Sequence, residues 1–173
     1  MASGDTLLIL TPQDYVPPAT IYATLDFMVG TSTPAENIPV LDFDDTTQEY
    51  ADFYLAMPAA YSGGGITLTV VFSAAETSTD VIAWQAAFRR VADDAEDLDT
   101  TAHTYQYNEV IATAPSVVGE VAYDDITFTN GADMDSVVAG DYFILRVTRD
   151  PTPSSGTDVT GDGSLHALIM KET

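Results

Sequence analysis

Ile66-Thr67-Leu68-Thr69-Val70-Val71-Phe72 is the stretch of sequence that decides the fold class. Apolar side chains stand at every second position from Ile66 to Phe72, and threonines lie between the first of them. In an extended strand successive side chains point to opposite faces, so this spacing makes one face apolar and the other largely polar. The stretch therefore predicts a β-strand with one face in a hydrophobic core.

The same period of two recurs along the chain, between short segments rich in Gly, Pro, Asn and Asp that favour turns. The other predicted strands are 6–10, 20–29, 38–44, 48–57, 81–90, 104–113, 120–129, 142–149 and 165–172. One short segment, 132–139, is predicted as a helical turn. We therefore expect an all-β protein, an antiparallel β-sandwich of about eight to ten strands.

Two kinds of sandwich fit ten antiparallel strands, the jelly roll and the immunoglobulin-like fold. The second often carries a tryptophan between two cysteines, but Trp84 stands in a chain without cysteine. The long connections 93–102 and 150–163 suit crossings between two sheets, so the jelly roll is favoured. No linker divides the chain, and we expect one jelly-roll domain over residues 19–173, preceded by an N-terminal arm or edge strand over residues 1–18.

The charge of the chain is strongly one-sided, with 27 acidic against 5 basic side chains and a formal net charge of -22. Nucleic-acid binding depends on clustered Lys and Arg, and anionic membranes also repel acidic proteins. We therefore expect no nucleic-acid partner and no membrane partner. The start of the chain lacks the features of a secretory signal, which predicts a soluble protein made in the cytoplasm.

Two acidic segments are candidate calcium loops, because hard cations take carboxylate and carbonyl oxygens from loops. Residues 93–99 form the densest acidic run, and a solvated loop is the favoured interpretation. Residues 158–163 resemble the start of a calcium loop, with acids at spacing four and a glycine in sixth position. Ile169 stands where such a loop has its bidentate Glu, so a hairpin turn is favoured.

Catalytic chemistry finds little support in the sequence. Asp42, Asp44 and Asp45 could supply a carboxylate pair for glycoside hydrolysis, but chance adjacency is expected in a chain with this many acids. His103 and His166 are the only histidines, and neither belongs to a recognised catalytic motif. We therefore predict no catalytic, cofactor-binding or metal-binding residue, and no enzyme.

Tyr105 and Tyr107 occupy one face of a predicted strand in an otherwise polar stretch. Exposed aromatic rings can stack on sugars, so a carbohydrate platform is one interpretation. A tyrosine pair at a protein interface or on a half-buried sheet is the favoured one. Scarce positive charges at strand ends are expected to pair with acids within the fold or in a partner subunit: Arg89, Arg90, Arg146 and Arg149.

Four segments carry a resemblance that spans most of the chain in the same order. They are 5–12 followed by 23–26, 40–47, 61–66, and 134–141 leading into 145–150. The chain resembles jelly-roll virion structural proteins of tailed bacteriophages, in particular head decoration or cement proteins. Its matched residues are structural ones, such as Leu41 and Phe43 in a core strand and the glycines of the turn at 63–65.

The resemblance implies a protein that binds and stabilises a capsid shell, often as a symmetric trimer. The implied partners are the major capsid protein lattice and other copies of the chain. The implied location is the virion, after synthesis in the host bacterial cytoplasm, and residues 1–18 would cross to a neighbour. The alternative is a carbohydrate- or receptor-binding β-sandwich module on a phage neck or tail. A glycosidase is the third hypothesis.

Overall fold

A computed structural model of the chain describes residues 4–76 and 79–173. The described chain contains ten strands and two short 3-10 helices. The strands are β1 Thr6–Leu10, β2 Thr24–Val29, β3 Asn37–Phe43, β4 Tyr50–Ala56, β5 Ile66–Ala74, β6 Val81–Val91, β7 Asn108–Thr113, β8 Ala122–Phe128, β9 Tyr142–Asp150 and β10 Gly163–Glu172.

The strands form two sheets in which every pair is antiparallel. The six-stranded sheet has the order β2-β3-β10-β5-β8, and β1 pairs with β10 beside it. The four-stranded sheet has the order β4-β9-β6-β7. Apart from β2–β3 and β6–β7, paired strands are distant in sequence, which is the crossing pattern of a Greek key. The chain is a jelly-roll β-sandwich, so the predicted fold class is confirmed.

The core lies between the two sheets and follows the period of two. Residues Ile66, Leu68, Val70 and Phe72 all point inward and are fully buried, as the alternation in the sequence predicts. Trp84 lies opposite them on β6, with its ring centroid 5.2 Å from that of Phe43 in an edge-to-face arrangement. Aromatic side chains bury large areas, so this contact joins the two sheets strongly.

Several predicted elements are shorter in the structure; the predicted strand 20–29, for example, begins only at Thr24. The predicted strand 104–113 begins only at Asn108, because the pairing of β7 with β6 begins where Asn108 faces Ala86. The predicted helical turn 132–139 is reduced to a 3-10 helix over Ala132–Met134. Asp135 and Ser136 take left-handed backbone angles directly after it, with φ of 51° and 58°, and end the helix.

Residues 6–10 form a strand of the chain's own six-stranded sheet. Leu10 is buried in the core and Pro12 is buried beside it. Residues 1–3 of the predicted arm lie outside the described residues, and a crossing to a neighbouring subunit stays a prediction. Within the described ranges, neither helix has the length or the apolar character needed to span a membrane.

Candidate functional site

The outer face of the four-stranded sheet carries the most varied set of polar and aromatic side chains. On β4, Phe53 points into the core, so its neighbours Asp52 and Tyr54 point outward. On β9, Leu145 points inward and Arg146 points outward by the same rule. The alternation that builds the core therefore also builds this surface.

Arg146 and Asp52 face each other across the β4–β9 pair. The guanidinium donates from Nε to Oδ1 and from Nη2 to Oδ2 of Asp52, both at 2.7 Å. Asp52 is only 3% exposed. Burial opposes the charge of Arg146, but the hydrogen bonds and charge of Asp52 outweigh it and raise the pKa of Arg146. This two-pronged pair fixes the plane of the guanidinium on the sheet.

Tyrosine rings lie on the guanidinium of Arg146. The ring centroid of Tyr105 is 4.2 Å from Cζ of Arg146, and that of Tyr50 is 5.3 Å away. Tyr107 follows with its centroid 6.0 Å from that of Tyr105 and 31° between the ring planes. We call Tyr105 and Tyr107 the tyrosine platform. Arg146 holds the first ring of the platform, Tyr105, in place by cation–π attraction.

The platform tyrosines keep their hydroxyl protons at neutral pH. Burial raises the pKa of Tyr107 to about 12, against the opposing effect of Arg146. Burial also raises the pKa of Tyr105, again opposed by Arg146. Each hydroxyl can therefore both donate and accept a hydrogen bond to a ligand.

A row of amides and carboxylates continues the face beyond the platform. Gln85 donates from Nε2 to Oε2 of Glu109 at 2.8 Å and to Oδ2 of Asp150 at 3.0 Å. Gln48 donates to Oε1 of Gln85 at 3.3 Å, and Ser154 donates to Oε1 of Glu109 at 3.3 Å. Such side chains orient hydroxyl-rich ligands, whereas aromatic rings bind their apolar faces.

The two segments 42–45 and 158–163 come together beside the six-stranded sheet. They contribute to a cavity of about 210 Å³ lined by Thr24, Asp26, Asp42, Asp44, Glu49 and Asp162. Asp158 is directed away to the buried Arg149, with 2.6 Å between Nη2 and Oδ2. Within residues 4–76 and 79–173, no group of three or more His, Cys, Asp or Glu side chains is arranged to hold a metal ion.

The carboxylates of this cavity predict opposite effects of two substitutions. Burial, and after it the charges of Asp162 and Asp26, raise the pKa of Asp42 above its ordinary value of 3.8, although the Ser164 hydrogen bond opposes the rise. We expect Asp42→Asn to raise the free energy of unfolding at pH 7 by about 0.5–1 kcal/mol, measured by urea denaturation. The gain should disappear as the pH falls towards 3.8. The reason is that Asp42 of the wild type takes up a proton at a higher pH in the folded state than in the unfolded state.

Asp44→Asn is the contrasting variant in the same cavity. Asp44 accepts hydrogen bonds from the hydroxyl of Thr46 at 2.6 Å and from the amides of Thr46 and Thr47, both at 2.7 Å, and these bonds lower its pKa. Its contribution to stability is present above pH 3.8 and is lost below that value. Asp44→Asn should therefore lower stability at pH 7, and two variants with the same effect would contradict this account.

The histidines lie in different places. Nε2 of His166 is 2.8 Å from Oγ of Ser73 on the outer face of the six-stranded sheet, and burial lowers its pKa. His103 stands next to the platform, with its ring edge-to-face to Tyr105 at 4.9 Å and its Nε2 3.9 Å from Oδ2 of Asp135. Only His103 therefore belongs to the neighbourhood of the tyrosine platform.

The structure adds residues to the site that the sequence analysis did not single out, namely Tyr50, Asp52, Gln85 and Glu109. Their signal was present as the outward positions of the alternating strands β4, β6 and β7. The expected pairing of arginines with acids inside the fold is confirmed for all four arginines. The pairs are Arg89–Glu96, Arg90–Asp141, Arg146–Asp52 and Arg149–Asp158.

Comparison with known proteins gives structural neighbours but no sequence family. No protein-family model matches the chain, and no curated protein matches it. The xylan-binding domain CBM22-1 of Xyn10C from Paenibacillus barcinonensis is similar in fold, with a TM-score of 0.52 and 10% sequence identity. That match covers 99% of this chain and 97% of the other.

A second neighbour is the Clostridium thermocellum endo-1,4-β-D-xylanase 10B, as its CBM22-1–GH10 modules complexed with xylohexaose. The TM-score is 0.52 at 9% identity, and the match covers all of this chain but 29% of the other. The matching region of that enzyme is thus a small part of its length. At such identities the likeness establishes the fold.

The jelly-roll fold that the resemblance to virion proteins implied is confirmed. The functions that the same resemblance implied are not supported by the fold or by the comparisons. The capsid-decorating role, the capsid lattice as partner, the trimer and the virion location stay predictions, as does the absence of enzymatic activity. The chain is a jelly-roll β-sandwich, and its structural neighbours are carbohydrate-binding modules.

Proposed function

We propose that the chain is a carbohydrate-binding module that binds a neutral polysaccharide across the outer face of the four-stranded sheet. The observation that carries this proposal is the tyrosine platform, two half-buried neighbouring rings of which Tyr105 lies over the ion-paired Arg146 on the outer face of the four-stranded sheet. The proposal adopts the alternative hypothesis of the sequence analysis in its carbohydrate-binding form.

The platform has the chemistry that a sugar chain requires. A pyranose ring presents C–H groups on its faces and hydroxyls around its edge, so an aromatic ring binds the face and polar groups bind the edge. Tyr105 and Tyr107 supply the rings, while Gln85 and Glu109 supply donors and acceptors further along the face. Arg146 already holds the ring of Tyr105 in place, so ligand binding loses less conformational entropy than it would with a mobile ring.

The electrostatics favour an uncharged ligand. All four arginines are already paired with carboxylates, and the chain carries a net charge of -22. A polyanionic glycan would approach this field against repulsion and would find each arginine already occupied. A neutral polysaccharide is not repelled by the net charge and needs no unpaired arginine.

The structural neighbours suggest which oligosaccharide to test first. The Paenibacillus domain is named as xylan-binding, and the Clostridium enzyme was captured with xylohexaose. Xylo-oligosaccharides are neutral, as the electrostatics of this face require. We therefore choose xylohexaose as the first probe for this chain.

A glycan microarray tests the proposal. We expect saturable binding to neutral polysaccharides and none to uronate-rich or sulfated ones at the same ionic strength. Binding should persist with a chelator, because stacking and hydrogen bonds need no cation. The absence of binding to every neutral glycan, or selective binding to acidic glycans, would contradict the proposal.

A further inference from the structure

The connection between β6 and β7, residues 92–107, carries the tyrosine platform at its C-terminal end. Its first part, 93–100, is acidic and almost entirely exposed, as the sequence analysis expects of a solvated loop. One carboxylate differs from the rest, because the side chain of Glu96 is only 14% exposed. Glu96 is therefore the acidic side chain of this loop that contacts the four-stranded sheet.

Glu96 binds Arg89, which projects from the outer face of β6. Nε of Arg89 donates to Oε1 of Glu96 at 3.0 Å, and Nη2 of Arg89 donates to the same oxygen. Both side chains are largely buried, so salt screens this ion pair less than a surface pair. Holding the loop by this pair orders a segment that would otherwise be repelled by the acidic surface.

Arg89 also contacts the second arm of the same loop. Its Nη2 donates to the carbonyl oxygen of Thr101 at 3.3 Å. Two residues further on, His103 packs edge-to-face on Tyr105, the first ring of the platform. One guanidinium therefore fixes Glu96 and Thr101 on the two arms of the loop, and the platform follows directly from the second arm.

We propose that Glu96 and Arg89 form a latch that positions the tyrosine platform, with Glu96 as a positioning residue remote from the sugar. This inference rests on the proposed carbohydrate-binding function. Without the latch, Tyr105 and Tyr107 keep their contacts with Arg146 but lose the anchor of the chain that presents them. Ligand binding then has to order the loop, and affinity falls accordingly.

Glu96→Gln in the full chain tests the latch, because it removes the charge and keeps the size of the side chain. Asp93→Asn is the matched control, since it removes one charge from an exposed position of the same loop. Two quantities are measured for each variant: amide hydrogen exchange over residues 101–107, and affinity for a neutral oligosaccharide that binds the wild type, with xylohexaose first. The thermal midpoint records global stability.

For Glu96→Gln we expect exchange in 101–107 to become about tenfold faster and affinity to fall about tenfold, with the thermal midpoint within about 2 °C of wild type. Asp93→Asn should match the wild type in all three. Unchanged exchange in Glu96→Gln, or faster exchange with unchanged affinity, would overturn the latch.

A failure of the proposed function can be distinguished from a failure of the latch. A wild type that binds no neutral glycan would contradict carbohydrate binding. In that case exchange over 101–107 and the ring resonances of Tyr105 still decide the latch. Both should change in Glu96→Gln alone if the latch positions the platform, and neither should change if it does not.

Discussion

Replacing Arg149 with alanine is expected to lower the free energy of unfolding by about 3–5 kcal/mol. The side chain is 0% exposed and lies at one end of the core. Its guanidinium donates to Oδ2 of Asp158 and to the carbonyl of Val159, both at 2.6 Å, and to the carbonyl of Gly161 at 2.7 Å. The alanine variant leaves these acceptors buried without their donor.

Asp158 makes the loss larger. Burial raises the pKa of Asp158 even against the attraction of Arg149, so the loss of Arg149 leaves a carboxylate whose charge burial opposes without compensation from that partner. Urea denaturation at pH 7 measures the effect. Arg90→Ala is the control, because Arg90 pairs with Asp141 while 34% exposed and should cost about 1 kcal/mol or less. Equal losses in the two variants would show that the buried pair has no special role.

The second large effect concerns the tyrosine platform. We expect Tyr105→Ala and Tyr107→Ala each to weaken affinity for a neutral oligosaccharide about tenfold, and the double variant about a hundredfold or more. Each substitution removes a ring face for stacking and a hydroxyl that donates and accepts. Isothermal titration calorimetry measures the affinities.

Tyr123→Ala is the matched control for the platform variants. Tyr123 is 65% exposed but lies on β8 of the other sheet, so it offers the same side chain on the opposite surface of the sandwich. Its replacement should leave affinity unchanged. The account is wrong if Tyr123→Ala weakens binding as much as the platform variants do.

The fold was largely predictable because its main signal is local. The period of two at 66–72 places each side chain on a face before any partner strand is known. The same period elsewhere in the chain predicted the other nine strands, and the structure confirms Ile66, Leu68, Val70 and Phe72 as buried. The lack of cysteine around Trp84 favoured the jelly roll over the immunoglobulin-like fold.

The site was less predictable because its contacts join distant parts of the chain. Asp52 and Arg146 are separated by 94 residues, and only the pairing of β4 with β9 brings them together. The sequence predicted Tyr105 and Tyr107 on one face of a strand, but both lie in the loop before β7, where Tyr105 covers Arg146. Such contacts depend on strand order, which local alternation does not encode.

The acidic segments 42–45 and 158–163 also lie together in a way that local sequence does not encode. Asp42 and Asp162 were weighed in separate motifs 120 positions apart, yet they line one cavity because β3 pairs with β10. The large negative charge argues against nucleic-acid and membrane partners, which stays a prediction, and by itself it identified no partner. With every arginine paired inside the fold, that charge favours a neutral ligand for the proposed site.

The most direct test of the central claim is a titration of the isotope-labelled protein with xylohexaose and other neutral oligosaccharides, followed by NMR. We predict saturable shift changes that centre on Tyr105, Tyr107 and Arg146 and extend to Gln85, with the outer face of the six-stranded sheet unchanged. Changes centred on Tyr123 and the six-stranded sheet, or no change with any neutral oligosaccharide, would contradict the account.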